Sequence, residues 1–161
     1  MEAGKPHGIE PYGVEALGLL RIEKGHVAGP ELNGQTSAQD VGLGKMLKKR
    51  GDFIGRVLSQ RPGMLDPARP RLVGLRAVDP NRQVRAGAHL IEGAGGTSLG
   101  WVSSATRSVV DPGWIGLALL REGEARIGST MIATSPITSE DVPVRIVSPH
   151  MYDPENERVR G

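Results

Sequence analysis

The residue types that most often carry catalysis or bind metals are few in this chain and widely spaced. Its four histidines, His7, His26, His89 and His150, lie far apart, and none has the His-x-x-x-His spacing that places two ligands on one helical face. The absence of cysteine excludes disulfides, thiol nucleophiles and cysteine-ligated metals within the chain. No serine lies in a Gly-x-Ser-x-Gly motif. The sequence therefore predicts neither a metal site nor a hydrolytic nucleophile.

One glycine-rich run, Gly-Ala-Gly-Gly-Thr-Ser at 93–98, has the composition of a phosphate-binding loop. It lacks the Gly-Lys-Ser/Thr ending of a Walker loop, and Ser98 stands where the dinucleotide-binding fingerprint has its third glycine. It also lies between two predicted strands instead of opening a helix. We therefore predict a hairpin loop here.

Two polar clusters have both a structural and a functional interpretation. Lys45, Lys48, Lys49 and Arg50 form the densest group of positive charge. Such a group is most often a solvated edge, and the functional alternative is docking of an anionic ligand tail or of an acidic partner face. The second cluster, Glu23-Lys24 with His26, ends a predicted helix, where capping of that helix is the simplest role.

Two helices are predicted to precede the main domain. Residues 12–24 have helical spacing and predict an amphipathic helix whose apolar stripe needs a partner surface. The pattern consists of Val14, Leu17 and Leu20 with Ala16, Leu19 and Glu23. A second helix is predicted to begin after Asp52 and to end at Pro62, with Ile54, Val57 and Leu58 on one face. Residues 25–51 between them are predicted to be an extended, glycine-rich connector.

From Pro70 onward the pattern changes to short apolar runs with period two, which predicts six strands. The predicted strands are 72–78, 84–91, 101–108, 114–120, 130–134 and 142–147. The segments between them are rich in Gly, Pro, Asn and Asp, so consecutive strands are expected to pair as antiparallel hairpins. A sheet of this size is expected to hide its edges by closing into a barrel or folding into a sandwich.

Length and composition limit the classes of function. With 161 residues the chain has room for one compact domain, or for a small domain with an arm. Aromatic residues make up 3% and the formal charge is +2, which disfavours nucleic-acid binding. The N-terminus has no apolar signal region, and no apolar run reaches the roughly 18 residues of a membrane span. We expect no membrane association and a cytoplasmic location, with which the lack of cysteine is compatible.

Several motifs resemble the glycine-cleavage T-protein (aminomethyltransferase) family. Residues 12–26, Tyr-Gly-Val-Glu-Ala-Leu-Gly-Leu-Leu-Arg-Ile-Glu-Lys-Gly-His, match one of its segments, and further motifs follow in the family's order and spacing. These are Glu31-Leu32-Asn33-Gly34 with Thr36, Asp40-x-Gly42-Leu43-Gly44 and residues 49–56, Lys-Arg-Gly-Asp-Phe-Ile-Gly-Arg. Residues 72–75, 87–88, 100–104 and 115–120 resemble its C-terminal barrel strands. The resemblance covers essentially the whole chain.

The resemblance implies a fold of mainly β structure. A short N-terminal helical arm and connector would precede a six-stranded antiparallel β-barrel. Residues 1–61 would form the tail of a folate-binding domain and residues 62–161 the barrel domain. Within the superfamily, Leu-Leu-Arg-Ile-Glu-Lys-Gly-His with Glu-Leu-Asn-Gly-Gln-Thr is most similar to the C-terminal end of the alpha subunits of heterotetrameric sarcosine oxidases. The chain is therefore expected to be part of a longer subunit.

The same resemblance implies an enzyme that oxidises sarcosine to glycine and transfers the one-carbon unit to tetrahydrofolate. FAD, FMN and NAD would be bound only by other parts of the complex, and partners would be the other subunits and the preceding part of the alpha subunit. The chain would be inert alone, and the exposed face of helix 12–24 would favour self-association. A T-protein or dimethylglycine oxidase relative, or a structural barrel without ligand, are the alternatives.

Two positions at which T-proteins contact folate are held here by Leu17 and Lys45. Leucine offers no guanidinium fork, and lysine offers a point charge where the family has a tryptophan ring. Lys45 remains able to meet an anionic glutamyl tail. The polar residues nearest the predicted domain junction are the candidate folate contacts: Glu23, Lys24, His26, Asn33 and Lys45. No catalytic residue is predicted within the chain.

Overall fold

Six antiparallel strands close into a barrel in the computed structural model, which describes residues 1–48 and 51–160. The strands are β1 (Pro70–Ala77), β2 (His89–Ile91), β3 (Gly100–Ser108), β4 (Gly113–Arg121), β5 (Thr130–Ser135) and β6 (Glu140–Val147). Their order around the barrel is β1-β4-β3-β2-β5-β6. The prediction of a six-stranded antiparallel barrel is confirmed. Lys49 and Arg50 of the predicted basic cluster lie outside the described residues.

The strand pairing follows the chain only in part. Consecutive strands pair in β2–β3, β3–β4 and β5–β6, as the turn residues between them predict. The barrel closes through non-consecutive pairs, because β1 pairs with both β4 and β6 and β2 pairs with β5. Strand β2 is shorter than predicted because Ala88 N donates to Arg85 O and Gly87 has φ 86°, which places a turn within the predicted run.

Two apolar clusters lie on opposite sides of the sheet. The cluster on one side includes Val73, Leu75, Leu90, Val102, Leu120 and Ile146, all of them buried. The other combines Leu72, Ile115, Leu117 and Leu119 with Ile22 from the N-terminal helix. The alternation along β4, in which Ala118 and Leu120 join the first cluster while Leu117 and Leu119 join the second, is what a strand buried on both faces requires.

The first predicted helix is present as α1 (Val14–Lys24). It packs on the barrel through Ile22 and Glu23, both buried, while Leu17 and Leu20 are about half exposed and Val14 is 84% exposed. The predicted apolar stripe is therefore not buried as a whole, because the barrel packs against the side of the helix that carries Ile22 and Glu23. No helix in the described part of the chain combines the length and apolar character needed to cross a membrane.

The region after α1 differs from the prediction. Instead of an extended connector and one helix, the chain forms α2 (Gly44–Lys48), α3 (Arg56–Ser59) and α4 (Pro62–Leu65). Asp52 does not cap a helix, because its Oδ1 accepts from the adjacent Phe53 N, and α3 begins only after Gly55 at φ 92°. Pro62 begins α4 instead of ending a helix, which suits a residue without an N–H group. The last element of the described residues is α5 (Glu157–Arg160).

Candidate functional site

The C-terminal end of α1 brings Lys24 and His26 to one place. Gly25 adopts φ 76°, and Gly25 N and His26 N donate to Ile22 O and Arg21 O, which ends the helix in a left-handed turn. A Cβ at this glycine would lie 2.5 Å from Pro149 O. Only glycine therefore fits between the helix end and the C-terminal segment.

Residues 148–153, here called the C-terminal strap, lie far from α1 in the sequence but donate hydrogen bonds to its last carbonyl groups. Met151 N and Tyr152 N donate to Glu23 O at 3.2 and 2.9 Å. His150 Nδ1 lies 3.2 Å from Lys24 O, a carbonyl that can only accept, so this nitrogen carries the proton of the bond. Terminal helix carbonyls need such external donors, and the strap supplies them.

Lys24 also holds the strap by its side chain. Its Nζ donates to Asp153 Oδ2 at 2.9 Å and to Asp153 O at 2.6 Å. The hydrogen bond from Lys24 is the main cause that lowers the pKa of Asp153 below its ordinary value, and the backbone N–H groups of Arg158 and Glu157 contribute in the same direction. The ammonium group is consequently already paired within the chain.

A cavity of about 470 Å³ opens between the end of α1, the strap and the segment around Val41. Lys24, His26, His150, Asp153 and Asn156 are its polar lining residues. Two imidazoles beside an ion pair can form hydrogen bonds with a polar ligand. The described residues contain no group of three or more His, Asp or Glu side chains arranged to hold a metal ion.

Glu23 does not face this cavity. Its side chain is buried, and Oε1 accepts hydrogen bonds from Ser108 Oγ at 2.5 Å, Val109 N at 3.0 Å and Val110 N at 3.3 Å. These donors lie at the end of β3 and in the turn that follows it. The carboxylate thus fixes the end of α1 to the barrel, which makes Glu23 a positioning residue in this structure.

Asn33 and Lys45 do not line the cavity that Lys24 and His26 share. Asn33 is exposed, and its Oδ1 accepts from Gln35 N at 2.9 Å in a local turn. Lys45 is exposed on α2 and lines a separate cavity of about 350 Å³ that also contains Gln39 and Arg71. Of the five residues predicted from the sequence, only Lys24 and His26 line a common cavity.

Glu31 forms a buried polar cluster, and sequence reasoning did not single it out as a site. Its carboxylate is fully buried; Oε2 accepts from Arg21 Nη1 and Ala28 N, each at 2.8 Å. Oε1 lies 2.6 Å from both Ser103 Oγ and Ser104 Oγ. Burial raises the pKa of Glu31, but the two serines, the Ala28 N–H and the Arg21 charge outweigh it and hold the pKa below its ordinary value.

A β-bulge explains how two consecutive serines reach one carboxylate. The register between β3 and β4 shifts between Val102 and Ser104, which leaves Ser103 as the extra residue. Val102 and Ala105 join the cluster on one side of the sheet, while Ser103 and Ser104 both reach Glu31 on the other. Strict alternation along a strand would have separated the two hydroxyls.

Asp40 is the third buried carboxylate that ties the N-terminal segment to the barrel. Arg69 donates to it from Nε and Nη2, Arg71 from Nη1, and Ser37 from its backbone N–H. Burial raises the pKa of Asp40, and the bonds from Arg69 and Ser37 outweigh that effect and lower it. Leu72 N donates to Asp40 O at 2.7 Å, which joins the segment directly to β1.

The glycine-rich run connects β2 and β3, as predicted for a hairpin loop. Gly96 N donates to Gly93 O at 2.9 Å and closes the turn. His89 Nδ1 lies 2.9 Å from Ser98 Oγ across the pair of strands. The loop therefore has a complete structural role in the turn between two strands.

Fold and site together define a small antiparallel β-barrel domain whose preceding segment is held to it by three buried carboxylates. The chain belongs to the family described as the glycine cleavage T-protein C-terminal barrel domain, which matches residues 71–153. The predicted resemblance is confirmed at this level.

The similarity to known proteins also covers the residues that precede the barrel. The chain is 42% identical to the sarcosine oxidase subunit alpha of Rhizobium meliloti (strain 1021), over 99% of this chain and 17% of that protein. It is 33% identical to the aminomethyltransferase of Streptomyces avermitilis, over 94% of this chain and 41% of the relative. The crystal structure of the glycine cleavage system aminomethyltransferase T from Bartonella henselae superposes with a TM-score of 0.73 at 21% identity, covering 89% of this chain and 40% of that one. The chain thus spans about a sixth of the length of the sarcosine oxidase subunit.

Proposed function

We propose that this chain is the C-terminal, folate-side part of an enzyme that oxidatively demethylates sarcosine to glycine and transfers the one-carbon unit to tetrahydrofolate. The observation that carries the proposal is the 42% identity to a sarcosine oxidase alpha subunit along 99% of the chain. The likeness to aminomethyltransferases supports the one-carbon half of the activity. FAD, FMN and NAD would belong to other parts of the complex, with which this chain would assemble.

The five candidate residues have four different roles in this proposal. Lys45 lines a cavity with Arg71 and Glu124, and Arg71 is paired with Asp40, so the Lys45 ammonium is the cation that would meet a glutamyl carboxylate of a folate there. Lys24 and His26 would contact a ligand only in the separate cavity at the end of α1. Glu23 would act as a positioning residue, because its carboxylate is buried and occupied, and Asn33 would shape the turn that follows Glu31.

The chain is proposed to be inert by itself. The serines that bond to Glu31, Ser103 and Ser104, are buried, and Glu31 already accepts hydrogen bonds from Arg21 and Ala28. A carboxylate whose pKa is lowered and whose oxygens are occupied is a poor general base. Proton transfer to or from the substrate would therefore depend on residues outside this chain.

Titration calorimetry of tetrahydrofolate into the chain tests the proposal. We expect micromolar binding that Lys45→Ala weakens by about 1–3 kcal/mol, the range for a charge-assisted contact. Lys5→Ala, which removes another exposed ammonium, is the matched control and should leave the affinity unchanged. A peroxide assay with sarcosine should detect no turnover by the chain alone.

A purely structural role is the second candidate, and one observation favours it. The described residues contain no buried side-chain polar atom without a hydrogen-bond partner, so the buried polar groups near the domain junction, Glu23 among them, are satisfied by the protein itself. If tetrahydrofolate does not bind at millimolar concentration, the barrel would serve as a wall and docking module, and the folate contacts would lie in other parts of the enzyme.

A further inference from the structure

The turn that follows the buried Glu31 contains the chain's single Asn-Gly pair, Asn33-Gly34. The side-chain amide carbon of an asparagine and the next backbone nitrogen can join into a five-membered succinimide ring. Glycine after the asparagine favours this reaction, because it has no side chain to obstruct the approach and its backbone is the most free to rotate. The other two asparagines of the chain are followed by an arginine and a glutamate. Asn33 is therefore the asparagine whose neighbour best permits ring closure.

The structure leaves this pair of residues accessible. Asn33 and Gly34 are both exposed, and a Cβ placed on Gly34 would meet no other atom of the described chain within 4 Å. Thr36 N donates to Asn33 O at 3.2 Å, so residues 33–36 form a β-turn with Gly34 at its first central position. Solvent water and hydroxide can consequently reach the peptide group between Asn33 and Gly34.

The nitrogen that would attack is free of hydrogen bonds to the protein. Gly34 N donates no hydrogen bond within the part of the chain that the structure describes. The corresponding nitrogens after the other two asparagines both donate. Their acceptors are Asp79 O for Arg82 N, at 3.0 Å, and Asp153 Oδ1 for Glu157 N, at 2.8 Å. Each of those bonds must break before its nitrogen can turn toward the asparagine, whereas Gly34 N has no such bond to break.

The group that would be attacked is held beside this nitrogen. Asn33 Oδ1 accepts a hydrogen bond from Gln35 N at 2.9 Å, which folds the side chain back over its own backbone. The ring of atoms closed by this bond includes both Asn33 Cγ and Gly34 N. Because the carbonyl oxygen accepts a hydrogen bond, it is polarised and Cγ is the more electrophilic.

We propose that Asn33 is a site of spontaneous modification, at which Gly34 N attacks Asn33 Cγ and the asparagine becomes isoaspartate and aspartate through a succinimide. Gly34 N loses its proton to hydroxide, the N–Cγ bond forms, and the Cγ–Nδ2 bond breaks as ammonia leaves. Water then adds to one of the two ring carbonyls and cleaves its bond to the ring nitrogen. Cleavage at the main-chain carbonyl of Asn33 gives isoaspartate, and cleavage at Cγ gives aspartate. Water is the only co-reactant.

The isoaspartyl product alters the turn that holds the backbone of Glu31. Thr36 Oγ1 donates to Glu31 O at 2.9 Å and accepts from Asn33 N at 3.3 Å. Isoaspartate inserts a methylene group into the main chain between Asn33 and Gly34 and leaves a free carboxylate beside it. The turn cannot keep its present spacing with this longer backbone. We therefore expect the modification to weaken the attachment of the segment around Glu31, whose side chain is fully buried against the barrel.

Peptide mapping of the chain after incubation at neutral and mildly alkaline pH tests the reaction. Trypsin releases the three asparagines in separate peptides, residues 25–45, 77–82 and 146–158, in which isoaspartate and aspartate are distinguished by comparison with synthetic standards. We expect both products in residues 25–45, formed at least about tenfold faster than any conversion of Asn81 or Asn156. The rate should rise with hydroxide concentration, because Gly34 N must lose its proton.

Two glycine variants test the role of the neighbouring residue. Gly34→Ala should slow the conversion by about tenfold or more, and the methyl group fits without a clash. Gly29→Ala is the matched control, because Gly29 is also exposed, lies in the same segment and has open space around a Cβ. Its conversion rate should equal that of the unchanged chain. Unchanged urea midpoints of the fresh proteins would show that both variants are folded.

Urea unfolding of the purified isoaspartyl chain tests the structural effect. The reference is Asn33→Asp, which introduces a carboxylate at the same residue without lengthening the main chain. We expect a lower urea midpoint for the isoaspartyl chain than for Asn33→Asp, since only the former changes the spacing between Asn33 and Thr36.

Four results would overturn the proposal. They are conversion of Asn33 no faster than that of Asn81 or Asn156, aspartate formed without isoaspartate, an unchanged rate in Gly34→Ala, and equal urea midpoints for the isoaspartyl chain and Asn33→Asp. The reaction does not rest on the proposed function, because it involves neither sarcosine nor a folate. Failure of tetrahydrofolate binding would leave it unaffected.

Discussion

Lys24 Nζ lies 2.9 Å from Asp153 Oδ2 and joins two residues that are 129 positions apart in the chain. The same ammonium donates to Asp153 O, and the strap in turn donates to the last carbonyls of α1. The C-terminal end of α1 and the strap are therefore fastened to each other on the outside of the barrel. Both sides of this contact contribute walls to the cavity at the end of α1.

Breaking this ion pair should loosen the strap. We expect Asp153→Asn to accelerate amide hydrogen exchange at Met151 and Tyr152, whose N–H groups donate to Glu23 O. Glu140→Gln removes an exposed ion pair with Arg85 and is the control, for which exchange at the strap should not change. Equal protection in Asp153→Asn and the unchanged chain would mean that the backbone bonds hold the strap without Lys24.

Replacing Gly25 should cost more stability than replacing another left-handed glycine. Gly25→Ala combines a φ of 76° with a Cβ placed 2.5 Å from Pro149 O, whereas Gly42→Ala has a φ of 80° and open space around the Cβ. We expect Gly42→Ala to lower the free energy of unfolding by about 1–2 kcal/mol and Gly25→Ala to lower it further. Urea unfolding of both variants measures the difference, and equal losses would show that the strap yields to the methyl group.

Removing the charge of Glu31 should destabilise the fold. The amide nitrogen introduced by Glu31→Gln cannot accept a hydrogen bond from Arg21 or from a serine hydroxyl, so buried donors lose their partner. We expect a loss of about 2–4 kcal/mol in the free energy of unfolding. Glu124→Gln, at an exposed residue, should have little effect. A loss no larger than that of the control would contradict a stabilising role for the cluster.

Stability should fall in acid because of Glu31 and Asp40. Both carboxyls have folded-state pKa values below their ordinary values of 4.5 and 3.8, so the unfolded chain binds protons more readily than the folded one. The contribution is fully present above about pH 5 and is lost as the pH falls through the lowered folded-state values. Unfolding free energies measured between neutral and acid pH should show this decline, and Glu31→Gln should make it shallower. A Glu31→Gln slope equal to that of the unchanged chain would assign the decline to other groups.

The exposed side of α1 should promote self-association of the isolated chain. Val14, Leu17 and Leu20 remain exposed beside the part of the helix that packs on the barrel. Sedimentation equilibrium is expected to show association at high concentration that Leu17→Glu with Leu20→Glu abolishes. A monomer at every concentration tested would reject this prediction.

Local sequence patterns were sufficient to predict the strands and α1. The period-two runs identified all six strands, because a strand between two apolar layers needs apolar residues whatever its neighbours are. Residues 52–62 were wrongly predicted as one helix, because the left-handed Gly55 divides the segment and Pro62 begins a new turn. Helices as short as α2–α4 lack the repeated spacing on which such predictions depend.

The sequence by itself determined a composition typical of globular domains and free of cysteine, six strands, one amphipathic helix and the family resemblance, because these depend on residue type and short-range spacing. The tertiary structure alone decided which carboxylates are buried and what they hold. Glu31 meets Ser103 and Ser104 only because a bulge turns both hydroxyls to one side of β3, and Asp40 meets Arg69 and Arg71 only where the connector lies along β1. Buried charges require partners, and these partners lie 29 to 73 residues away along the chain, a distance over which spacing in the sequence has no predictive value.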